Sequence, residues 1–151
     1  MNEQWLVEDL PAATLWRRLV AMSYDLFLVI AMWMVTLFIW ATIVKPTAFS
    51  GNSTKLMSDL LALIWWLETW AFYAWCWMHG GQTLGMRAWR LMVRDYRRRP
   101  VRLWQTLARF VFAHVSWLLA GGGYLLSLFS PHQTLHDRLS ATETVVVPKA
   151  G

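Results

Sequence analysis

Residues 19–44 form an unbroken apolar run, LVAMSYDLFLVIAMWMVTLFIWATIV, in which Asp25 is the single charge. As a helix this run rises about 39 Å, more than the roughly 30 Å hydrocarbon core of a bilayer. A surface helix of a small soluble domain is neither so long nor so apolar all round. The chain therefore reads as a membrane protein with an acidic residue held inside its first span. An ionisable group at that depth is costly, which makes Asp25 a candidate functional residue.

Composition supports the same class. Hydrophobic residues make up 57% of the 151 positions, with 12 tryptophans against 15% charged residues, and this length allows one span-forming domain. The net charge of +5 would suit nucleic acid, but it is concentrated between apolar runs, which points to a membrane face and away from nucleic acid. The single cysteine, Cys76, lies in an apolar run and reads as a buried thiol. The first fourteen residues carry three acids and no base, and no small-residue cleavage site follows the first run. A removed signal peptide is therefore not expected.

The expected architecture is an all-α membrane protein with three apolar helical segments, at about residues 19–44, 57–78 and 105–129. Residues 1–14 form an N-terminal segment, residues 15–147 the membrane domain, and residues 148–151 a tail. Thr14 is a reasonable N-cap for the first helix, and Trp16 and Trp40 suit the two interfaces. The second run has one interior charge, Glu68, near mid-depth. After it, Arg87, Arg90, Arg94, Arg97, Arg98, Arg99 and Arg102 face a single acid, Asp95, whereas residues 45–59 hold two lysines and one aspartate. The positive-inside rule then puts the arginine-rich loop and the N-terminus in the cytoplasm of an inner membrane.

The third run is interrupted by Gly121, Gly122 and Gly123. Arg109, Ala113, Ser116, Ala120, Gly123 and Ser127 recur at four- and three-residue steps and share one helical stripe, so Arg109 is expected to face protein. A straight crossing puts the tail outside, while a re-entrant bend at the glycines returns it to the cytoplasm. The β-branched run at the end of the tail, Thr144 to Val147, can pair with LMVRDY if both lie inside.

Arg18 and Asp25 are seven positions apart, so they lie within about 20° of one helix face but roughly 10 Å apart along the axis. Asp25 reads either as a proton or cation site, or as a permanent structural tie to an arginine such as Arg109. Glu68, beside Trp65, Ala71, Phe72 and Trp75, reads either as a titrating carboxyl or as a hydrogen-bonded tie across the bundle. His79 and His114 read as packing residues. His132, His136 and Asp137 make a weak metal site with no cysteine partner, so no metal is expected. A turn or cap role suits Asp137 better. The stretch GGQTLG lacks the Gly-Lys-Ser/Thr ending of a phosphate loop. Gly80 and Gly81 read as the stop of the second helix, and Gln82 and Thr83, with Gly81 and Gly85 around them, as a tie between the loop and the span ends. Arg87, Arg90, Arg94, Arg97, Arg98 and Arg99 are expected on anionic lipid headgroups. No catalytic constellation, nucleotide fingerprint or cofactor motif is present, so no enzyme is expected.

Three stretches, WRRLVAMSYD, GGQTLGMRAWRLMVRD and QTLHDRLSATETVVV, occur in an order that resembles the RDD family of small bacterial membrane proteins. The family is named for one arginine and two aspartates. The resemblance implies those roles for Arg18, Asp25 and Asp137, with Asp95 as the other candidate for the second aspartate. The tail departs from the usual pattern, in which a Gly-Thr before the valines is more common, and this implies a looser turn after Asp137. Some members have been proposed to exchange monovalent cations for protons. Three short spans enclose no path alone, so transport along Asp25, Glu68 and Arg109 requires a homo-oligomer. The other function class is a membrane scaffold or accessory subunit, bound to a membrane partner, whose charges are internal ties.

Overall fold

The first long helix, α1, is Leu15–Ile43, free of proline and glycine throughout. The computed structural model describes residues 9–43, 52–118 and 135–148. Thr14 sits at the N-cap position, and its carbonyl accepts the Arg18 N–H at 3.3 Å. The buried residues of α1 are Arg18, Ala21, Asp25 and Val29, spaced three and four apart and so aligned in one stripe. Outside that stripe α1 is exposed and apolar, with Phe27 and Phe38 more than 70% accessible at 75% and 71%. Apolar exposure on this scale marks a face that meets lipid or a protein partner. Among the described residues, α1 is the one helix long and apolar enough to cross a membrane.

Helix α2, Asn52–Gly80, is equally long and contains the expected second run. Its apolarity is diluted by Ser58, Asp59, Glu68 and many indoles, each with a polar N–H. The two helices meet where Trp33 stacks on Trp65 with ring centroids 5.4 Å apart. Beside that stack Trp33 donates to the Thr69 hydroxyl at 3.0 Å.

Gly81 turns the chain out of α2 with φ +67°, and a Cβ there would come within 2.9 Å of both Met92 Cγ and the Val93 carbonyl. The short helix α3, Leu84–Ala88, begins at Thr83, whose hydroxyl accepts the Met86 N–H at 3.2 Å. Strand β1 is Leu91–Asp95, helix α4 is Leu103–Leu118, helix α5 is Leu135–Leu139 and strand β2 is Thr142–Val146. The strands pair antiparallel, from Leu91 opposite Val146 to Asp95 opposite Thr142. On the other edge of β2, Ala13 donates to the Thr144 carbonyl at 2.9 Å and Val146 to that of Pro11 at 2.8 Å. The described core lies here. Ala13, Ala21, Trp77, Met86, Leu91, Val93 and Val101 pack together, and Met92, Val145 and Val147 form a second cluster.

The protein is thus mostly helical, and the strictly all-α expectation gives way to helices plus this ribbon. The tail does pair with LMVRDY, as its β-branched residues suggested. The pairing puts the tail beside the start of the arginine-rich loop. The triple glycine, Ala120 and Ser127 lie outside the described residues, as does the side chain of Ser116. The turn before β2 carries Ala141 where the usual pattern has glycine, and it is closed by backbone hydrogen bonds. Ala141 adopts φ +52°, its N–H reaches the Arg138 carbonyl at 3.3 Å, and its own carbonyl takes the Tyr96 N–H at 3.2 Å.

Candidate functional site

Asp137, on α5 and 0% exposed, is the centre of a buried charge cluster. Its Oδ2 accepts from Arg18 of α1 and its Oδ1 from Arg109 of α4. Arg18 also donates through Nε to the Ala13 carbonyl at 3.1 Å. Arg109 donates to the hydroxyls of Thr142 and Thr144 at 2.8 Å each, and its Cζ lies 5.3 Å from the Trp77 ring centroid. One carboxylate therefore joins two helices and the tail. Charge-assisted bonds of this kind are strong, and leaving any member unpaired is costly.

Arg109 faces protein, as its stripe predicted, but its partner is Asp137 and not Asp25. The structure corrects that pairing. Asp25 of α1 accepts the Thr83 hydroxyl through Oδ2 at 2.5 Å and the Gly85 N–H through Oδ1 at 2.9 Å. Asp25 is thus the anchor of the GGQTLG turn. Gly85 is needed at that contact, because a Cβ would stand 2.1 Å from the Ala21 carbonyl and 3.0 Å from the Asp25 carboxyl carbon. Gln82 donates to the Leu91 carbonyl at 2.7 Å, so this turn does bind the loop to the span ends.

Geometry separates the two candidate aspartates of the tail and loop. Asp137 meets Arg18. Asp95 instead takes the Arg97 N–H at 2.9 Å and the Gln105 side-chain amide at 3.1 Å, closing the turn between β1 and α4. Gln105 and the threonines of β2 were not singled out from the sequence. Thr142 and Thr144 alternate along a strand, which places both hydroxyls on one face. That alternation was the available signal.

Glu68 stands apart from the cluster. Half-buried, it accepts the Thr36 hydroxyl, with its two carboxylate oxygens 3.0 and 2.8 Å away. His79 stacks on Trp75 at 3.8 Å, and His114 meets Phe110 edge-on at 4.5 Å. Both are aromatic packing residues. His132 and the side chain of His136 lie outside the described residues. Among the described residues no cluster of three metal-ligating side chains occurs.

Of the six arginines expected on headgroups, Arg87, Arg90, Arg97, Arg98 and Arg99 are exposed, although Arg98 pairs with Asp9. Arg94 is a correction. It is 2% exposed and bonds Glu143, its cross-strand partner, at 2.7 Å. All five residues of β1 are buried, so Arg94 is covered together with its cross-strand partner, while residues 96–99 of the following turn are exposed.

The RDD family model matches residues 12–141, a range that includes Arg18, Asp25, Arg109 and Asp137. Comparison with curated proteins and with solved structures finds no match.

Proposed function

Because the chain belongs to the RDD family of membrane proteins, we propose that it is a multi-pass inner-membrane scaffold or accessory subunit with a cytoplasmic N-terminus. In this reading α1, α2 and the run that begins in α4 supply the membrane-embedded part. The ribbon, α3 and the exposed arginines form its cytoplasmic end. Those arginines lie against anionic headgroups, at about 1 kcal/mol each. The protein carries out no reaction, binds no nucleic acid, and works as a homo-oligomer or beside a membrane partner.

One observation carries the reading. Arg18, Asp25, Arg109 and Asp137 all end in hydrogen bonds within the chain. Charges used as internal ties need no ion to complete them.

A second reading is proton-coupled exchange of a monovalent cation by an oligomer. Glu68 and Thr36 favour it, since they place a half-buried carboxylate between the two long helices. Flux into proteoliposomes containing a pH dye, under imposed Na⁺, K⁺ or Li⁺ gradients, separates the two. The scaffold reading expects no flux above empty liposomes and a lowered melting temperature for Asp25→Asn. Proton movement coupled to a cation, abolished by Glu68→Gln in a folded protein, would replace it with exchange.

A further inference from the structure

Helix α1 has 29 residues and rises about 43 Å, well beyond the roughly 30 Å of hydrocarbon in a bilayer, so part of it stands outside the lipid core. Helix α2 has the same length and the same excess. Their mutual contacts show which parts. Asp25 meets Thr83, just past the end of α2, while Trp33 meets Thr69, so the two helices run antiparallel. Eight residues from the Trp33–Thr69 contact toward the ribbon stand Asp25 on α1 and Trp77 on α2. Ten residues the other way stand Ile43 and Asp59.

Polar groups mark both levels. At the first lie Asp25, the Thr83–Gly85 turn bonded to it, and the Arg109 guanidinium, 5.3 Å from the Trp77 ring. At the second lies the exposed Asp59, with the exposed Lys55 one turn beyond it. The stretch between the levels is eighteen residues on either helix, a rise of about 27 Å that nearly equals the hydrocarbon thickness. Glu68 is the one charged side chain that the two helices carry inside this stretch, and it stands midway, nine residues from Asp59 and nine from Trp77.

We propose that the cytoplasmic edge of the hydrocarbon core lies at the level of Asp25, so that α1 crosses lipid over residues 26–43 and α3 rests on the headgroups. The proposal rests on the membrane reading above. Two helices of independent sequence give the same thickness from one register, and the polar ties of the fold then fall at or outside the edge. Residues 15–24, although apolar, stand among the ribbon and the interface. Asp25 becomes an interfacial anchor, and Glu68 with its partner Thr36 becomes the intramembrane polar pair of the described residues. Helix α3 starts at the turn that holds Asp25, and its Leu84, Arg87 and Ala88 share one exposed face. That face offers an apolar side chain to lipid and a guanidinium to phosphate.

The test is power-saturation electron paramagnetic resonance of the full chain in vesicles of phosphatidylglycerol and phosphatidylcholine. Each sample carries Cys76→Ser and a single spin-labelled cysteine. Oxygen concentrates in hydrocarbon and a nickel chelate in water, so the ratio of their effects reads depth. Labels at Leu19→Cys and Leu56→Cys are expected to favour the nickel chelate. Those at Ile30→Cys, Met34→Cys and Leu67→Cys are expected to favour oxygen, with the crossover between Tyr24→Cys and Phe27→Cys. Leu84→Cys is expected to match Tyr24→Cys. All eight positions are exposed on the fold, where a label meets little packing, and melting curves identify any variant that fails to fold. Oxygen preference at Leu19→Cys overturns the proposal, because lipid then reaches the start of the apolar run. Nickel preference at Ile30→Cys overturns it from the other side. A Leu84→Cys label as open to the chelate as Leu19→Cys overturns the placement of α3. Nickel preference at Met34→Cys and Leu67→Cys as well is the failure of the membrane reading itself, and is thereby told apart from a misplaced edge.

Discussion

Arg18 and Asp137 are 119 positions apart in the chain and meet as a buried ion pair. Asp137 shares its other oxygen with Arg109, so a single carboxylate neutralises two guanidiniums. Asp137→Asn removes the charge and keeps the shape. The expected loss is about 3–5 kcal/mol, because two buried cations lose their counter-charge. Thermal unfolding in detergent checks it. Combining Asp137→Asn with Arg109→Gln should cost less than the two single losses added together, as contacting residues do not act independently.

Asp25→Asn tests the other tie. An amide keeps one acceptor but turns its NH₂ toward either Thr83 or Gly85, both of which donate. Stability is expected to fall by about 1–3 kcal/mol, the range for a buried group left unsatisfied. The readout is the melting temperature together with protease sensitivity of the turn around Gln82. An unchanged melting temperature would remove Asp25 from the structural ties.

Gly85→Ala should be at least as damaging as many deletions of larger groups. The added methyl meets the Ala21 carbonyl, which is backbone and cannot rotate aside. Separating α3 from α1 to admit it is expected to cost about 1–3 kcal/mol by overpacking. Gly80→Ala provides the comparison, since a Cβ there meets nothing within 4 Å.

Ala141→Gly is expected to stabilise the protein by about 1 kcal/mol. Ala141 holds φ +52°, where a side chain crowds the following carbonyl and glycine does not. Part of that gain is offset because glycine leaves the unfolded chain freer. A higher melting temperature with the β1–β2 pairing unchanged is the result to look for.

Tyr96, in the turn after β1, supplies a pH test. Partial burial pushes the phenol of this 40% exposed residue above the usual range, and the charges of Asp137 and Glu143 add to that against the smaller opposing pull of Arg138 and Arg109. The folded state therefore holds this proton more tightly than the unfolded state. The contribution is fully present below the unfolded value near 10 and is lost as pH rises through the folded value. Melting temperature between pH 9 and 11 should fall more steeply for wild type than for Tyr96→Phe.

How far the sequence carried these conclusions depended on the range of each interaction. The apolar run of α1 and the inward stripe containing Arg109 are local patterns, and helical spacing alone reveals them. The ties at Asp25 and Asp137 join residues far apart in the chain, where spacing carries no information. Resemblance to the family pointed to Asp137 without naming its bonds. Pairing Asp25 with Arg109 failed for a physical reason: each charge had a nearer partner, one in a turn and one in the tail. Arg94 was misplaced because a count of arginines does not show that β1 is covered on both faces, where Arg94 meets its cross-strand partner Glu143.

The strand made last, β2, lies between residues 11–13 and β1, both of which leave the ribosome before it. Its slot must therefore stay open until synthesis reaches residue 146. Before residue 137 is made, Arg18 and Arg109 have no Asp137 to meet. A nascent chain stopped short of residue 137 carries these two cations uncompensated by Asp137, beside its first and third apolar runs.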